Sequence, residues 1–375
     1  MVCELLDALE QGFKAEGTDD ISNRLVTRHR LQGFNPAYFS ASQRLFSYSQ
    51  DNYQGALALA SQSSNACSSA PNDFMQGKLA ISDDVQQTVT LAQLVKFMQN
   101  PTQYFLRNRL GIYIDQSSDA LQDQEPFSLD GLANYQMSQE LVEQILADDV
   151  SPQLFDLYAA KSVLPQGSLS IPTFEKCLTT AQAFANKVQA FTQGKPAASH
   201  SYDQSFDGMR LVGVLTDLYP QGLLRHRCAS IKPKDRLSTW IHHLAFCSLA
   251  NESSADTTRS HLLGNSTGDR SFNFAADSQQ LLTDLLKIFQ EGQLRPLPFF
   301  PKAAFGYSEE SSKGKHKDKC LDKARAEWLG SERSMGECED VDCDYCFGRV
   351  DPIGDEFEQL ADQIVTPLLN SESKG

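Results

Sequence analysis

The sequence predicts a mixed α/β fold in which a central mixed sheet is flanked by helices. Residues 209–249 give the first observation, because MRLVGVLTDLYPQGLLRHRCASIKPKDRLSTWIHHLAFCSL reads as strand, turn, strand and helix. The second is that apolar residues recur at helical spacing on both sides of this stretch. With 375 residues, 41% hydrophobic and 22% charged, the chain can fill one large core or two domains.

Residues 1–75 are predicted to form a separate region made of a helix, an extended aromatic-rich segment and a linker. Apolar spacing in LLDALEQGF predicts the opening helix. In LVTRHRLQGFNPAYF, Gly33 and Pro36 exclude a continuous helix, and the aromatic residues provide large packing groups. The small polar run at about 58–73 predicts a loop or linker. The second domain is therefore expected to span 76–375.

Helices surround the predicted sheet of the second domain. Thr90 and Gln93 form a capping box that begins one helix, and the Asn100-Pro101 pair interrupts it. Ser138 is predicted to cap a further helix. The remaining elements, in chain order, are a helix that ends near Phe191, a hairpin in NESSADTTRSHLLGNSTGDRSFNF, a helix closed by Gly292, a proline-rich strap in LRPLPFFP and a last helix in DEFEQLADQIVTPLL.

The strand, turn, strand and helix of residues 209–249 have the layout of a metal-dependent nuclease core. Such a core places an Asp at the end of a G-x-x-D strand and an Asp/Glu-x-Lys pair on the next strand, where the carboxylates hold Mg²⁺. Here Thr216 stands three residues after Gly213, and the candidate second pair is Ser230-Ile231-Lys232. The sequence therefore predicts degenerate positions at Thr216, Ser230 and Lys232, no catalytic residue and no cofactor.

An active metal-dependent DNA nuclease is the alternative. It would use Asp217 and Lys232, with Glu140 or Asp235 as a further candidate. A displacement of one residue along a strand turns the side chain to the opposite face of the sheet, which disfavours Asp217 as a ligand.

A cysteine cluster near the C-terminus offers a weak metal alternative. Cys343 and Cys346 form a C-x-x-C doublet, Cys338 is a third candidate ligand, and Cys320 or His316 would complete the set. Structural zinc sites usually pair two close doublets, whereas this segment has one doublet among many acids. Free thiols are the preferred interpretation.

Four basic residues form the most basic cluster of the core segment and are the candidate DNA contacts. They are Arg210, Arg225, His226 and Arg227. If they alternate along a strand, only some of them share a face, so pairing with the abundant acids is the competing interpretation.

The overall charge limits what the protein binds. The 33 Lys and Arg residues against 48 Asp and Glu residues give a formal net charge of −15, which argues against a general polyanion-binding surface. No apolar run reaches the roughly 20 residues of a membrane helix, and the first residues lack a signal-peptide pattern. We expect a cytoplasmic protein without membrane contact, whose nine cysteines are mostly reduced and buried.

Several phrases, in order along the chain, are similar to the C-terminal part of the RecC family, the gamma subunits of the bacterial exodeoxyribonuclease V (RecBCD) helicase–nucleases. They are RHRLQGFNPAYF with LFSYSQDNY, LVKFMQNPTQYFLRNRLGIYI, EPFSLDGLANYQMSQELVE, VLPQG, GLLRHRCASIKPKDRLSTWIHHL, EGQLRPLPFFP and FEQLADQIVTPLL. Together they run from about residue 25 to residue 369. Full-length RecC is much longer, so the resemblance implies a fragment without the helicase-like domains.

The resemblance further implies a catalytically degenerate nuclease domain of the restriction-endonuclease (PD-(D/E)XK) type. It implies RecB and RecD subunits as partners and contact with the DNA fork and its single strands within the complex. A hairpin that separates the strands is also implied, with residues at about 200–225 or 250–275 as candidates. The cysteine cluster is not part of the family's pattern, which further disfavours a metal there.

Overall fold

The computed structural model describes residues 2–14, 25–40, 44–64, 74–75, 77–80, 87–114, 128–149, 151, 153–250, 258–265, 268–332, 334–348 and 351–374. The chain divides into two compact units, Met1–Asn72 and Asp73–Gly375. Within the described residues, no helix is both long enough and apolar enough to cross a membrane.

The first unit contains two helices, α1 (Val2–Gly12) and α2 (Gln50–Ser64), with a 3-10 turn over Pro36–Tyr38. The opening helix agrees with the apolar spacing. Helix α2 extends into the polar run that was predicted to be a loop from residue 58, so that prediction is wrong as far as Ser64. The small residues there tolerate helical backbone, and the rest of the run lies outside the described residues.

The second unit contains the mixed sheet, whose strand order is β1-β3-β4-β5-β6-β9 with β2 paired to the other edge of β3. Strand β3 is parallel to β1 and antiparallel to β2 and β4, and β4 is parallel to β5. The strands are β1 (Thr88–Thr90), β2 (Ala198–Phe206), β3 (Met209–Tyr219), β4 (Gly222–Arg227), β5 (Ser260–Gly264), β6 (Arg270–Phe272) and β9 (Glu372–Lys374), and a separate ribbon joins β7 (Gly330–Ser331) to β8 (Ser334–Met335). The predicted mixed α/β architecture is confirmed.

Eleven described helices surround the sheet. They are α3 (Leu91–Gln99), α4 (Pro101–Tyr104), α5 (Gly131–Leu146), α6 (Leu154–Ala160), α7 (Ser170–Thr192), α8 (Pro233–Leu249), α9 (Ser278–Gly292), α10 (Pro301–Ser311), α11 (Lys317–Leu329), α12 (Val341–Phe347) and α13 (Asp355–Ser371).

The ends of these helices follow from their capping residues, with one correction. Thr90 and Gln93 form the expected capping box, and Asn100 both ends α3 and caps α4. Helix α5 begins earlier than predicted, because the Asp130 side chain accepts a hydrogen bond from the Ala133 amide and so satisfies the first turn. The Ser138 prediction is therefore wrong, since that residue is buried inside the helix.

Alternating side chains give the sheet two buried faces. Leu223 and Leu262 face a large core that includes α8, α9 and α13, whereas the adjacent Leu224 and Leu263 face a second core with α5 and α7. The proline-rich strap is also part of the large core, because Phe299 is fully buried. Strand β4 is therefore covered on both sides, whereas Arg210, Val214 and Thr216 on β3 are exposed.

The β2–β3 hairpin lies within the first candidate segment for a strand-separating hairpin, and buried residues flank its exposed turn. The β2–β3 turn has positive φ angles at Asp207 and Gly208, and the neighbouring Phe206 and Met209 are buried. Asp207 also pairs with Lys287 on α9, at 3.0 Å. The β5–β6 hairpin falls within the second candidate segment, part of which lies outside the described residues.

Candidate functional site

The β3–β4 hairpin opens just where the nuclease layout would place its first acid. The two strands pair only at Leu218–Leu223 and Tyr219–Gly222. Beside β3, β1 pairs with residues 210–212 on the same edge, so the edge from Gly213 to Asp217 has no strand partner among the described residues. We call this opening, with the side chains of Thr216, Asp217 and Arg225, the hairpin mouth.

Three polar side chains contact one another at the hairpin mouth. Arg225 Nη1 donates to Asp217 Oδ2 at 2.7 Å and lies 3.4 Å from Thr216 Oγ1. The Thr216 hydroxyl donates to the same Asp217 oxygen at 2.8 Å. Burial lowers the pKa of Arg225, and the nearby Asp217 carboxylate opposes that shift. The carboxylate is thus held by a side-chain cation of the protein itself.

The strand-alternation argument about Asp217 does not hold in the structure. Asp217 has a φ of 60°, in the left-handed region, which interrupts the regular alternation of side chains. Its carboxylate therefore reaches the hydroxyl of the preceding Thr216 instead of lying on the opposite face. Its Oδ2 atom is thus shared between Thr216 and Arg225.

Ser230 and Lys232 lie outside the strand on which the nuclease layout would need them. Strand β4 ends at Arg227 and helix α8 begins at Pro233, so both residues belong to the connecting segment, where they are exposed. The Lys232 amide donates to Asp235 Oδ2 at 2.8 Å at the start of α8. The residue of β4 that lies beside Thr216 is instead Arg225, whose Nη1 is 3.4 Å from the Thr216 hydroxyl.

A cavity of about 790 Å³ lies beside Lys232 and was not anticipated from the sequence. Its lining includes Arg107. Arg107 Nη2 donates to the buried Asp342 at 2.9 Å, and Gln103 Nε2 donates to the same oxygen at 2.9 Å. Because residues 103–109 and 342 are far apart in the chain, no local pattern reveals this pair.

Each arginine of the candidate DNA-binding cluster pairs with a carboxylate. Besides Arg225, Arg210 makes two hydrogen bonds to Asp203 on β2, and Arg227 makes two to Asp235. The Arg227 guanidinium also lies 4.5 Å from the ring of Tyr135. These contacts agree with the competing interpretation of structural pairing, and DNA contact by these residues stays a prediction.

His226 lies against helix α7. Its ring lies 6.2 Å from that of Phe184 on α7, and burial lowers its pKa. Whether the four basic residues share a surface for DNA stays a prediction.

The residues of the alternative, active nuclease do not come together around one point. Glu140 accepts a hydrogen bond from the Tyr158 hydroxyl at 2.8 Å, and Asp235 is paired with Arg227. In the part of the chain that the structure describes, no three His, Cys, Asp or Glu side chains are grouped to hold a metal ion. The donor set at the mouth, one carboxylate already bound by a guanidinium, does not fit Mg²⁺.

The cysteines of the C-terminal cluster lie in two apolar clusters. Cys320 and Cys343 are buried in the large core, and the partly buried Cys338 packs against it, whereas Cys346 joins a small cluster with Phe105. Burial raises the pKa of Cys346 to about 12 and also raises that of Cys343, so both thiols are protonated at neutral pH. The exposed His316 lies beside Asp318.

Comparisons with known proteins point to one family. A family model described as the RecC C-terminal domain matches residues 86–312. A protein described as RecBCD enzyme subunit RecC from Escherichia coli (strain K12) is 27% identical over 361 residues, which cover 91% of this chain and 30% of that protein.

Two further proteins with the same description show similar coverage. The one from Buchnera aphidicola subsp. Acyrthosiphon pisum (strain APS) is 22% identical over 361 residues, which cover 91% of this chain and 31% of that protein. The one from Mycobacterium tuberculosis (strain ATCC 25618 / H37Rv) is 25% identical over 325 residues, which cover 84% and 28%. The chain thus spans about 30% of the length of these relatives.

Proposed function

The chain belongs to the RecC family, and on this premise we propose that it is a non-catalytic part of a RecBCD-type (exodeoxyribonuclease V) assembly. It would work in double-strand-break repair and recombination in the cytoplasm. RecB and RecD subunits are its proposed partners, and the ends of duplex DNA are what the assembly would act on.

The observation that carries the non-catalytic role is the ion pair at the hairpin mouth. Arg225 binds Asp217 at 2.7 Å, at the point where a metal-dependent nuclease needs free carboxylate oxygens. Residue 216 is a threonine, and the next strand carries Arg225 and Arg227 instead of acids. We propose on this basis that the second domain, at about 76–375, is a degenerate core of the restriction-endonuclease type.

A subunit of this kind would act on DNA by holding it. Unstacking a base pair costs a few kcal/mol, and stacking on an aromatic ring returns about 1–3 kcal/mol per base, so wedging and stacking need no hydrolysis. Of the candidate DNA contacts, Arg210 is the best placed, because its side chain remains 56% exposed despite its pairing with Asp203. The net charge of −15 implies that any DNA contact is local or shared with a partner's surface.

Assembly with the two partner subunits tests this proposal. The chain would be co-expressed with the RecB and RecD subunits of its own organism and analysed by size-exclusion chromatography with light scattering. We expect a complex that contains the chain together with at least RecB. Elution of the chain alone, while RecB and RecD form their own complex, would contradict the proposed role.

A further inference from the structure

The outer edge of strand β2 carries a further inference, which rests on the proposed assembly with RecB and RecD subunits. Strand β2 pairs with β3 along one edge, and its other edge has no strand partner among the residues that the structure describes. With nine residues it is also one of the longest strands of the sheet. The backbone N–H and C=O groups of such an edge can pair with another extended chain.

The turn of the β2–β3 hairpin determines which backbone groups of β2 face outward. Asp207 and Gly208 form a two-residue turn with φ angles of 44° and 86°, and the strands close on the Phe206–Met209 pair. In such a hairpin the closing pair exchanges both backbone hydrogen bonds, and bonded and non-bonded pairs then alternate along the strands. The residues in non-bonded pairs, whose N–H and C=O groups therefore point away from β3, are Ser201, Asp203 and Ser205.

We call these three residues the free edge. All three are exposed, and their N–H and C=O groups have no backbone partner in the part of the chain that the structure describes. Strand β2 contains neither lysine nor proline, which are the residues that commonly prevent pairing at an edge. Its one acid, Asp203, accepts a hydrogen bond from Arg210 Nε at 2.7 Å. The free edge therefore bears little net charge, although the whole chain has a net charge of −15.

The opposite edge of the sheet differs from the free edge. Strand β9 (Glu372–Lys374) has only three residues, and it ends on an exposed lysine. A short edge strand and a lysine both hinder pairing with another chain. One edge of the sheet thus carries the usual protection, and the other does not.

The sheet face next to the free edge is also uncovered. Helices α5 and α7 cover β4 and β5 through Leu224 and Leu263. On β3, the side chain of Leu215 is buried in the large core, whereas that of the adjacent Val214, which lies opposite Ser201, is 53% exposed. The face that carries Val214 therefore leaves room for the side chains of an added strand.

We infer that the free edge is a docking site for an extended segment of a partner subunit, which joins the sheet as a further strand beside β2. Hydrogen bonds between the two backbones provide the affinity in this mode of binding. The segment is uncharged where it meets the free edge, because a charged side chain would lose hydration there and find no opposite charge, since Asp203 is already paired.

Hydrogen exchange, resolved to single amides, tests this inference. The chain alone would be compared with the chain in a complex purified after co-expression with the RecB and RecD subunits of its own organism. We expect the amides of the free edge to exchange at least about tenfold more slowly in the complex. The amides of Tyr202 and Gln204, which already bond to β3, serve as internal controls and should change much less.

A pair of matched variants tests the backbone directly. Ser201→Pro/Ser205→Pro removes two outward N–H groups without removing a bond to β3, and proline is tolerated at such edge positions. Ser201→Ala/Ser205→Ala loses the same hydroxyls but keeps the N–H groups. We expect the proline variant to bind the partner subunits about tenfold or more weakly and the alanine variant to bind like the wild type. Should the proline variant fail to fold, exchange in the wild-type complex decides.

The outcomes separate this inference from the proposed function. A complex in which the amides of the free edge stay unprotected overturns the inference and leaves the proposed function standing. If no complex with RecB or RecD forms, both are overturned. Protection that arises from a second copy of the chain, seen as a dimer by light scattering, or from a forked DNA duplex would also overturn the inference.

Discussion

The hairpin mouth and the polar groups beneath helix α8 use the same kinds of side chain in different surroundings. At the mouth, the side chains of Arg225 and Asp217 are 27% and 41% exposed. Beneath α8, those of Arg236 and Glu372 are only 8% and 7% exposed. If one partner is removed, water can solvate the remaining charge at the mouth but not beneath α8. Breaking the Arg225–Asp217 pair should therefore cost little stability, whereas breaking the Arg236–Glu372 pair should cost much more.

The polar groups beneath α8 join distant parts of the chain. Arg236 donates to Glu372 on β9 at 2.8 Å and to Glu309 on α10 at 2.6 Å, and its guanidinium lies 4.2 Å from the Phe305 ring. The network fixes the last strand, which completes the edge of the sheet beside β6. Burial, not the number of ion pairs, therefore identifies the arginines on which the fold depends.

Replacing Arg236 should give the largest loss of stability. Arg236→Ala leaves the buried Glu372 carboxylate with only its 3.5 Å contact to Arg270 Nε, which costs about 3 kcal/mol of unfolding free energy. Urea unfolding followed by circular dichroism measures the loss. In the matched double variant Arg236→Met/Glu372→Leu neither charge remains, so part of the stability should return; an Arg236→Ala variant as stable as the wild type would show that the network is unimportant.

Acid should lower the stability of the packing around α8, because burial lowers the pKa of two histidines of this helix. His243 is fully buried between Ser260 Oγ at 2.8 Å and the Asn273 carbonyl at 2.9 Å, and burial lowers its pKa to about 4. In the unfolded chain the His243 imidazole has a pKa near 6.5, so it binds a proton between pH 6.5 and 4. In the folded chain it stays neutral over that range. Stability contributed by the neutral ring is therefore complete above pH 6.5 and is lost as the pH falls.

We expect this loss to be about 2–3 kcal/mol for His243 between pH 6.5 and 4. His242, whose pKa burial also lowers to about 4, contributes in the same direction. Urea midpoints at several pH values give the slope, and His243→Gln should reduce it by about half. An unchanged slope in that variant would exclude His243 as a source.

Loss of Arg225 should cost less than loss of Arg236. Arg225→Ala frees an Asp217 carboxylate that water can reach, so we expect a loss of about 1 kcal/mol in the same urea experiment. A loss of about 3 kcal/mol or more would remove the contrast between the two regions, because it would make the mouth as important to the fold as the network beneath α8.

Arg210 should give the smallest effect. Its pair with Asp203 is exposed at both ends, so Arg210→Ala should leave the urea midpoint unchanged within experimental error. The same variant is informative about DNA, because a weaker affinity for a forked duplex without a change in stability would assign Arg210 to the nucleic-acid surface.

Spacing alone predicted the mixed sheet and its flanking helices, because strand, turn and helix signals are local. The position of Thr216 three residues after Gly213 can be read directly from the chain. The role of Arg225 could not be, since it depends on the hairpin register and on the left-handed backbone of Asp217. Ser230 was proposed as the second acid position only because the end of β4 at Arg227 is not marked in the sequence.

Long-range pairs limited the rest of the site prediction. Arg236 with Glu372 and Arg107 with Asp342 join residues more than a hundred positions apart, and a charged residue on a helix gives no local sign that it is buried. The spacing of residues could not identify the family. The resemblance to the RecC family could, because the ordered phrases that carry it extend through both units.

Cleavage of DNA is the most direct test of the central claim that this member of the RecC family is not itself a nuclease. Linear single-stranded and duplex DNA would be incubated with the purified chain and Mg²⁺ or Mn²⁺, with Asp217→Ala in parallel. We predict no cleavage by either protein. Cleavage by the wild-type chain that Asp217→Ala abolishes would contradict the account and make Asp217 a metal ligand.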